Sequence, residues 1–527
     1  MEFRNLNQLE KATNSYQPEL IRLGLCLLFL AGIFLFTAFR TEGIEGGYLL
    51  IFAAMIGGYM AINIGANDVA NNVGPAVGSK ALTLTGALII AALFEAGGAL
   101  IAGGDVVGTI KKGIINPESI SDPDTFIWLM MAALLAGALW LNLATYLGAP
   151  VSTTHSIVGG VLGAGIAAGG FGIANWSKMG AIAASWVISP VLGGLIAALF
   201  LYIIKRTVVT RHNMLASAKR VVPLLIMLMV WAFSTYLIMK GLKKIWKPGI
   251  EVAALTGLGI AFATWLISKP LISRKADKIE TNNVLEEKDG VNSLFTVPLI
   301  IAAALLSFAH GANDVANAIG PLAAINEAVL SQGVVTKASI PLWVMMVGAL
   351  GIALGLVLFG PKLIRTVGTE ITELDKTRAF CIAMAAAITV IIASQLGLPV
   401  SSTHIAVGGV FGVGFLREYM KTSYASQLHT IVDHHEGAEK ERIEHFLADF
   451  KNASVEEMAQ MIRQLKKRKT DVFLSKSERK RLKRVYKEEL VKRSALMKIA
   501  AAWIITVPAS GILAAIIFFT IRGMASS

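Results

Sequence analysis

The chain has 527 residues, of which 55% are hydrophobic and only 16% charged, with a formal net charge of +13. Soluble domains carry about 25% charged residues, so this composition, with a mean hydropathy of +0.63, excludes a disordered protein, a secreted disulfide scaffold and an ordinary cytosolic enzyme. It describes an all-α polytopic membrane protein, since so many apolar spans can pair their backbone groups in lipid only as a helical bundle.

The first apolar run, 21–39, is longer than the core of a cleavable signal peptide and has no small-residue cleavage site after it, so it reads as a retained signal-anchor helix. Further runs fall at 47–66, 82–104, 126–147, 156–174, 180–204, 221–240, 250–268, 294–312, 339–360, 378–396, 402–416 and 497–521. At about 20 residues per crossing, this predicts about 12–13 transmembrane helices. Cys26 and Cys381 both lie inside apolar runs and read as small buried hydrophobes, with neither disulfide nor zinc spacing. No disulfide, metal cofactor or nucleic-acid partner is expected.

Orientation follows from Lys and Arg in short loops. The 205–220 loop (Lys205, Arg206, Arg211, Lys219, Arg220), the 269–293 loop (Lys269, Arg274, Lys275, Lys278, Lys288) and the 361–378 loop (Lys362, Arg365, Lys376, Arg378) share one side if the spans alternate. That side is the cytoplasm, and the protein is expected in the cell's inner (plasma) membrane. One loop disagrees: 241–249, with Lys243, Lys244 and Lys247, falls outside. The segment 417–496 is polar and helix-prone, with a basic run through Lys466–Lys469 to Arg479–Arg484 and with His429, His434, His435 and His445. It reads as a cytoplasmic helical insertion whose basic run faces headgroups or water.

The chain repeats itself. Residues 65–75 read G-A-N-D-V-A-N-N-V-G-P and 311–321 read G-A-N-D-V-A-N-A-I-G-P. In the same order, 150–160 read P-V-S-T-T-H-S-I-V-G-G and 399–409 read P-V-S-S-T-H-I-A-V-G-G, with a shorter echo, V-G-T, at 107–109 and 367–369 between them. Two long matches in order mark a duplicated half. Between the starts of the 47–66 and 294–312 runs the chain crosses the membrane seven times, an odd number, so the second half is inverted relative to the first. Inverted repeats with broken or re-entrant helices are the architecture of secondary transporters. The expected division is 1–46 (tail and signal-anchor helix), 47–204 (first repeat), 205–293 (connecting helices and cytoplasmic loops), 294–416 (second, inverted repeat), 417–496 (insertion) and 497–527 (final transmembrane helix and tail).

Each first motif has the make-up of a broken helix. Gly65 and Gly311 loosen it, Asn67, Asp68 and Asn71 or Asn313, Asp314 and Asn317 bring polar oxygens, and Gly74-Pro75 or Gly320-Pro321 prevent simple continuation. An acid deep in a span costs about 2.5–3.5 kcal/mol, and a small cation or a proton among hard oxygens offsets that. Alternatively, Asp68 and Asp314 cap helix ends near the interface. Each second motif reads as a re-entrant turn. Pro150 and Pro399 end one helix, and Ser152, Thr153, Thr154 or Ser401, Ser402, Thr403 open the next. Free N–H groups, the positive dipole end and several hydroxyls make an anion site, and two such starts converging by symmetry suit an oxyanion; ordinary Ser/Thr capping is the plainer reading. His155 and His404 follow each hydroxyl run, to pair the anion, shuttle a proton or simply pack. Glu95, inside the third span, is a secondary candidate for cation binding or gating. His310 faces Ile64 in the first copy and is set aside as inessential to a symmetric site.

These residues, G-A-N-D-V-A-N at 65–71 and 311–317 with P-V-S-[ST]-T-H at 150–155 and 399–404, resemble the inorganic phosphate transporter (PiT) family over about 47–416 and the final span. The resemblance implies an inverted-repeat carrier for inorganic phosphate, coupled to sodium or protons and commonly a homodimer. It implies that Ser152, Thr153, Thr154, Ser401, Ser402 and Thr403 contact phosphate, and that Asn67, Asp68, Asn313 and Asp314 hold the coupling cation. Asn71, Asn317, Glu95, His155 and His404 stand as secondary candidates. The expected mechanism is symport of phosphate with a cation, sodium before proton, through alternating access. Competing readings are a same-fold carrier of sulfate or another tetrahedral oxyanion, an anion channel, and an intramembrane aspartyl protease using Asp68 and Asp314, with Asp105 in G-G-D as a weak echo.

Overall fold

Apolar runs of this length pair their backbone in lipid only as helix, and in the computed structural model each of the thirteen expected runs falls on one. The structure describes residues 2–120, 122–147, 151–241, 248–280, 284–333, 340–370, 374–419, 437–452, 461, 464–465 and 493–525. The first half holds α1 (Glu2–Arg40), α2 (Gly47–Asn67), α3 (Val69–Gly78), α4 (Leu84–Ala102), α5 (Gly104–Lys112), α6 (Pro123–Tyr146), α7 (Thr153–Gly169) and α8 (Trp176–Ile204). A middle section holds α9 (Met214–Gly241), α10 (Ile250–Asp277) and α11 (Val284–Leu294). The second half holds α12 (Thr296–Ser331), α13 (Leu342–Glu370), α14 (Lys376–Gln395), α15 (Ser402–Tyr419), α16 (Gly437–Asn452) and α17 (Arg493–Ala525). Side-chain acceptors fix several starts: Asp122 takes the Asp124 and Thr125 N–H groups ahead of α6, and Asp375 takes that of Arg378 ahead of α14.

Among the described residues, 11 stretches are long and apolar enough to cross a membrane. They coincide with all but two of the expected runs. The exceptions, 156–174 and 402–416, are α7 and α15, of 17 and 18 residues. Each begins inside the protein, at Thr153 and Ser402, both buried, as the re-entrant reading requires.

The broken-helix reading of the first motif needs correction. Asp68 separates α2 from α3, but its own φ and ψ of −83° and −36° are helical. In the second copy a single helix of 36 residues, α12, runs through Gly311, Asp314 and Pro321 without interruption. The motif glycines do something else than loosen the helix. A Cβ on Gly65 would lie 1.9 Å from the Ile352 carbonyl oxygen on α13, and one on Gly311 2.2 Å from that of Glu95 on α4. They let backbones touch where the halves cross.

That crossing is reciprocal. Helix α2 packs on α13 and α12 on α4; α7 packs on α17 and α15 on α8. The final helix therefore stands in the second half where α8 stands in the first. Its I-I-T-V-P-A-S-G at 504–511 matches W-V-I-S-P-V-L-G at 186–193 in the proline and the glycine. The final helix, set apart in the expected division, packs on α7 as α8 packs on α15.

The core lies along α12 and α14, whose faces are almost wholly buried. Helices α1, α10 and α17 form the rim, presenting large apolar side chains such as Leu28, Phe262 and Ile512 outward, as contact with lipid demands. In the insertion, α16 buries Ile443, Leu447 and Phe450 on one stripe, while His445 is exposed beside Asp449 at 3.1 Å. His429, His434, His435, the basic run from 466 to 484, the lysines of the 241–249 loop and Pro150 lie outside the described residues.

Candidate functional site

Helices α7 and α15 open with serine caps. Ser152 Oγ accepts the His155 N–H at 3.1 Å and Ser401 Oγ that of His404 at 3.3 Å, which ties the first turn of each helix and leaves the next two residues facing inward. There Thr153 Oγ1 donates to Asp68 Oδ2 at 2.6 Å and lies 3.4 Å from Asp314 Oδ2. Thr403 Oγ1 donates to Asp68 Oδ1 at 2.9 Å. A hydroxyl has one proton to give, so in this state both oxygens of Asp68 hold one, each from a different half. Thr154 donates instead to the Val400 carbonyl at 2.9 Å, and Ser402 Oγ, buried, has no hydrogen-bond partner among the described residues.

The asparagines divide into two jobs. Asn71 Nδ2 donates to Thr403 Oγ1 at 2.8 Å, and Asn317 Nδ2 donates to Thr153 and Thr154 Oγ1 at 3.2 and 3.1 Å. Each amide thus orients hydroxyls of the opposite half. Asn67 and Asn313, expected beside the cation, bind the turns: Asn67 Oδ1 accepts from Val151 N and Asn313 Oδ1 from Val400 N, both at 3.4 Å. Their amides donate to Thr145 and Ser394 hydroxyls at 2.9 Å each.

The charged centre is larger than the sequence indicated. His310 sits between Glu95, 2.7 Å from Nδ1, and Asp314, 2.9 Å from Nε2. Asn72 Nδ2 donates to the other oxygen of Glu95 at 2.8 Å. Ligating atoms of Asp68, His310 and Asp314 lie within 4.8 Å of one another, and all of these side chains are buried. Nδ1 hydrogen-bonds with Glu95, while Nε2 faces Asp314 as an ion-pair contact. His310, set aside in the sequence because it faces Ile64 in the first copy, thus lies within the acid cluster. The available signals were its i,i+4 spacing to Asp314 and the need of an intramembrane Glu95 for a partner.

Several acceptors are left over. Asp314 Oδ1 and Asn317 Oδ1 are buried with no donor among the described residues. Pro75 and Pro321 have no N–H to offer the carbonyls of Asn71 and Asn317 four residues back in their helices. Carboxylate, amide and carbonyl oxygens in one place suit a small hard cation. His155 and His404 meet ring to ring at a centroid distance of 4.5 Å, with His155 edge-on to Trp186 at 3.8 Å, so they form a contact between the halves.

Two duplicated helical halves, crossing the membrane many times and burying acids and hydroxyls where they meet, are the construction of a membrane transporter. The chain belongs to the phosphate transporter family, whose sequence profile matches residues 64–514. A Helicobacter pylori (strain J99) protein named "Putative phosphate permease" is 53% identical over 528 residues, 98% of each chain. A Pyrococcus abyssi phosphate permease, with the same qualifier in its name, is 40% identical over 370 residues, 70% of this chain and 89% of its own. A solved structure described as "The sodium-dependent phosphate transporter" superposes with a TM-score of 0.72 at 31% identity, covering 90% of this chain and 99% of its own.

Proposed function

We propose that the protein imports inorganic phosphate in symport with a cation, sodium before proton, by alternating access of two inverted halves around the Asp68–Asp314 centre. The observation that carries this reading is that Thr153 and Thr403, from opposite halves, spend their protons on Asp68 while Asp314 Oδ1 stands without a donor. Sodium on the two carboxylates, with the carbonyls of Asn71 and Asn317, takes the lone pairs that now hold those protons. Thr153 and Thr403 then turn to an oxyanion, joined by Ser402, by the helix starts at Ser152 and Ser401, and by Thr154 once it leaves the Val400 carbonyl. Cation binding in this way prepares the phosphate site.

Charge makes the dependence mutual. Three buried acids, Asp68, Asp314 and Glu95, lie beside one imidazole, His310. The cation offsets charge on these acids and so lets an anion enter beside them. Either ligand alone leaves uncompensated charge in a low dielectric, which costs several kcal/mol; the fully loaded site is near enough to neutral to move. Hard oxygens at the centre and a structural relative described as sodium-dependent support sodium over protons.

Reciprocal packing of α2 on α13 and α12 on α4 supports a two-fold relation between inverted halves, which is what rocking about a fixed midplane site uses. The proposal includes a homodimer in the inner (plasma) membrane with the 417–496 insertion in the cytoplasm. The test is radiolabelled phosphate uptake into proteoliposomes under a sodium or a proton gradient, in wild type and Asp68→Asn. Accumulation driven by sodium and lost in the variant supports the reading. Uptake under a proton gradient alone replaces sodium by protons, and uptake under neither removes the symport.

A further inference from the structure

The turn that leads into the second hydroxyl run, Gly397–Val400, is built of carbonyls that helix geometry leaves unpaired. Gly397 closes α14 in the left-handed region, with φ of 65°, and the Leu398 N–H reaches back to the Ala393 carbonyl at 3.0 Å, a glycine-based helix stop. From there the chain has no helical donors until α15 begins. Four side chains on four different helices supply them. Thr109 on α5 donates to the Gly397 carbonyl at 2.7 Å, and Asn313 on α12 to that of Leu398 at 3.2 Å. Trp186 Nε1 on α8 donates to the Pro399 carbonyl at 3.1 Å, and Thr154 on α7 to that of Val400 at 2.9 Å. Every carbonyl of the turn is held.

Asn313 and Thr154 belong to the duplicated motifs. Thr109 and Trp186 lie outside the two long motifs, and both come from the first half while the turn belongs to the second. Thr109 ends the short V-G-T echo, which the transport reading otherwise leaves without a task. The helix carrying it is itself fastened to α12: Lys111 and Glu327 form a buried ion pair, and Ile110 fills the space beside Gly320. Ion pairs of this kind add little net stability but fix how two elements sit against each other.

We infer that Thr109 and Trp186 are positioning residues for oxyanion binding: by holding the Gly397 and Pro399 carbonyls, they fix the turn that presents Ser401, Ser402 and Thr403. The inference rests on the assignment of those hydroxyls to phosphate. Preorganised donors bind more tightly because the turn is ordered before the ligand arrives. Loss of either side-chain donor leaves a part-buried carbonyl unpaired and releases the turn, so phosphate affinity falls while the cation centre at Asp68 and Asp314 is untouched.

The experiment uses the full chain in proteoliposomes as wild type, Thr109→Val, Thr109→Ala, Thr109→Ser and Trp186→Phe. It reads half-saturation and maximal rate of phosphate uptake, melting temperature without phosphate, and amide hydrogen exchange across 398–404. One hydrogen bond is worth a three- to tenfold change, roughly. Thr109→Val, Thr109→Ala and Trp186→Phe are expected to raise half-saturation by about that factor, with maximal rate changed less and exchange across the turn accelerated. Thr109→Ser, which keeps the hydroxyl, is expected to match wild type. Unchanged half-saturation in the deletion variants, or an equal loss in Thr109→Ser, overturns the inference; so does a drop in melting temperature alone. If wild type shows no phosphate uptake, the transport reading fails, and the exchange data still decide whether the two residues hold the turn.

Discussion

Thr403 hydrogen-bonds to Asp68 at 2.9 Å although 335 residues of chain separate them. With the 2.6 Å bond from Thr153, this makes one carboxylate the acceptor for the hydroxyl runs of both halves. A charged acceptor roughly doubles the strength of such a bond. Without a cation, therefore, the groups best suited to an oxyanion are occupied within the protein. Anion affinity is then set by whatever competes for Asp68.

Asp68→Asn tests that arrangement directly. The amide keeps the shape and one acceptor oxygen but loses the charge and puts an N–H where Thr153 or Thr403 now donates. Sodium-driven phosphate uptake is expected to fall by at least a hundredfold, about 2.8 kcal/mol, in proteoliposomes whose protein content and melting temperature match wild type.

Thr153→Val and Thr403→Val remove the hydroxyls without changing volume much. Each is expected to raise the half-saturation for phosphate by about tenfold, near the lower end for a hydrogen bond to a charged group. Because Asn317 orients Thr153 and Asn71 orients Thr403, the alanine variants of those asparagines are expected to show smaller shifts in the same direction. Uptake measured over a range of phosphate concentrations gives all four values.

His310→Leu leaves Glu95 and Asp314 buried without their shared partner. Removing one member of a buried charge network costs about 3–5 kcal/mol, and a clear drop in melting temperature in detergent is the expected result. Adding Glu95→Gln removes one of the orphaned charges, so the double variant is expected to recover part of that loss. Thermal unfolding followed by tryptophan fluorescence measures it.

Gly65→Ala and Gly311→Ala place a methyl where the facing carbonyl oxygens of Ile352 and Glu95 lie 1.9 and 2.2 Å away. Backbone cannot yield as a side chain does, so both variants are expected to lose at least 1–3 kcal/mol, approximately the cost of overpacking. Gly259→Ala on α10, with nothing within 4 Å, is expected to be neutral. Melting temperatures of the three separate a packing role from a hinge role for the motif glycines.

The duplication, the helical class and the meeting of the two acids with the two hydroxyl runs were legible because each rests on local signals: apolar length, repeated words and residue chemistry. Motif symmetry also misled. It hid His310, which faces Ile64 in the other copy, and it set the final helix apart, because the insertion stands between α15 and α17 where only a short link joins α7 to α8. Gly65 and Gly311 were read through intrinsic helix propensity, whereas their reason lies on another helix and exists only once the halves cross. The turn donors Thr109 and Trp186 were equally out of reach, since a hydrogen bond to a distant backbone carbonyl leaves no spacing in the sequence.

The most direct measurement of the central claim is phosphate affinity of the purified full chain, by calorimetry, at a series of sodium concentrations. If sodium frees Thr153 and Thr403 from Asp68, phosphate binds at least ten times more tightly in saturating sodium than in its absence. Sodium affinity must then rise by the same factor in saturating phosphate, because the coupling is reciprocal, and Asp68→Asn abolishes both effects. Equal phosphate affinity with and without sodium would contradict the account.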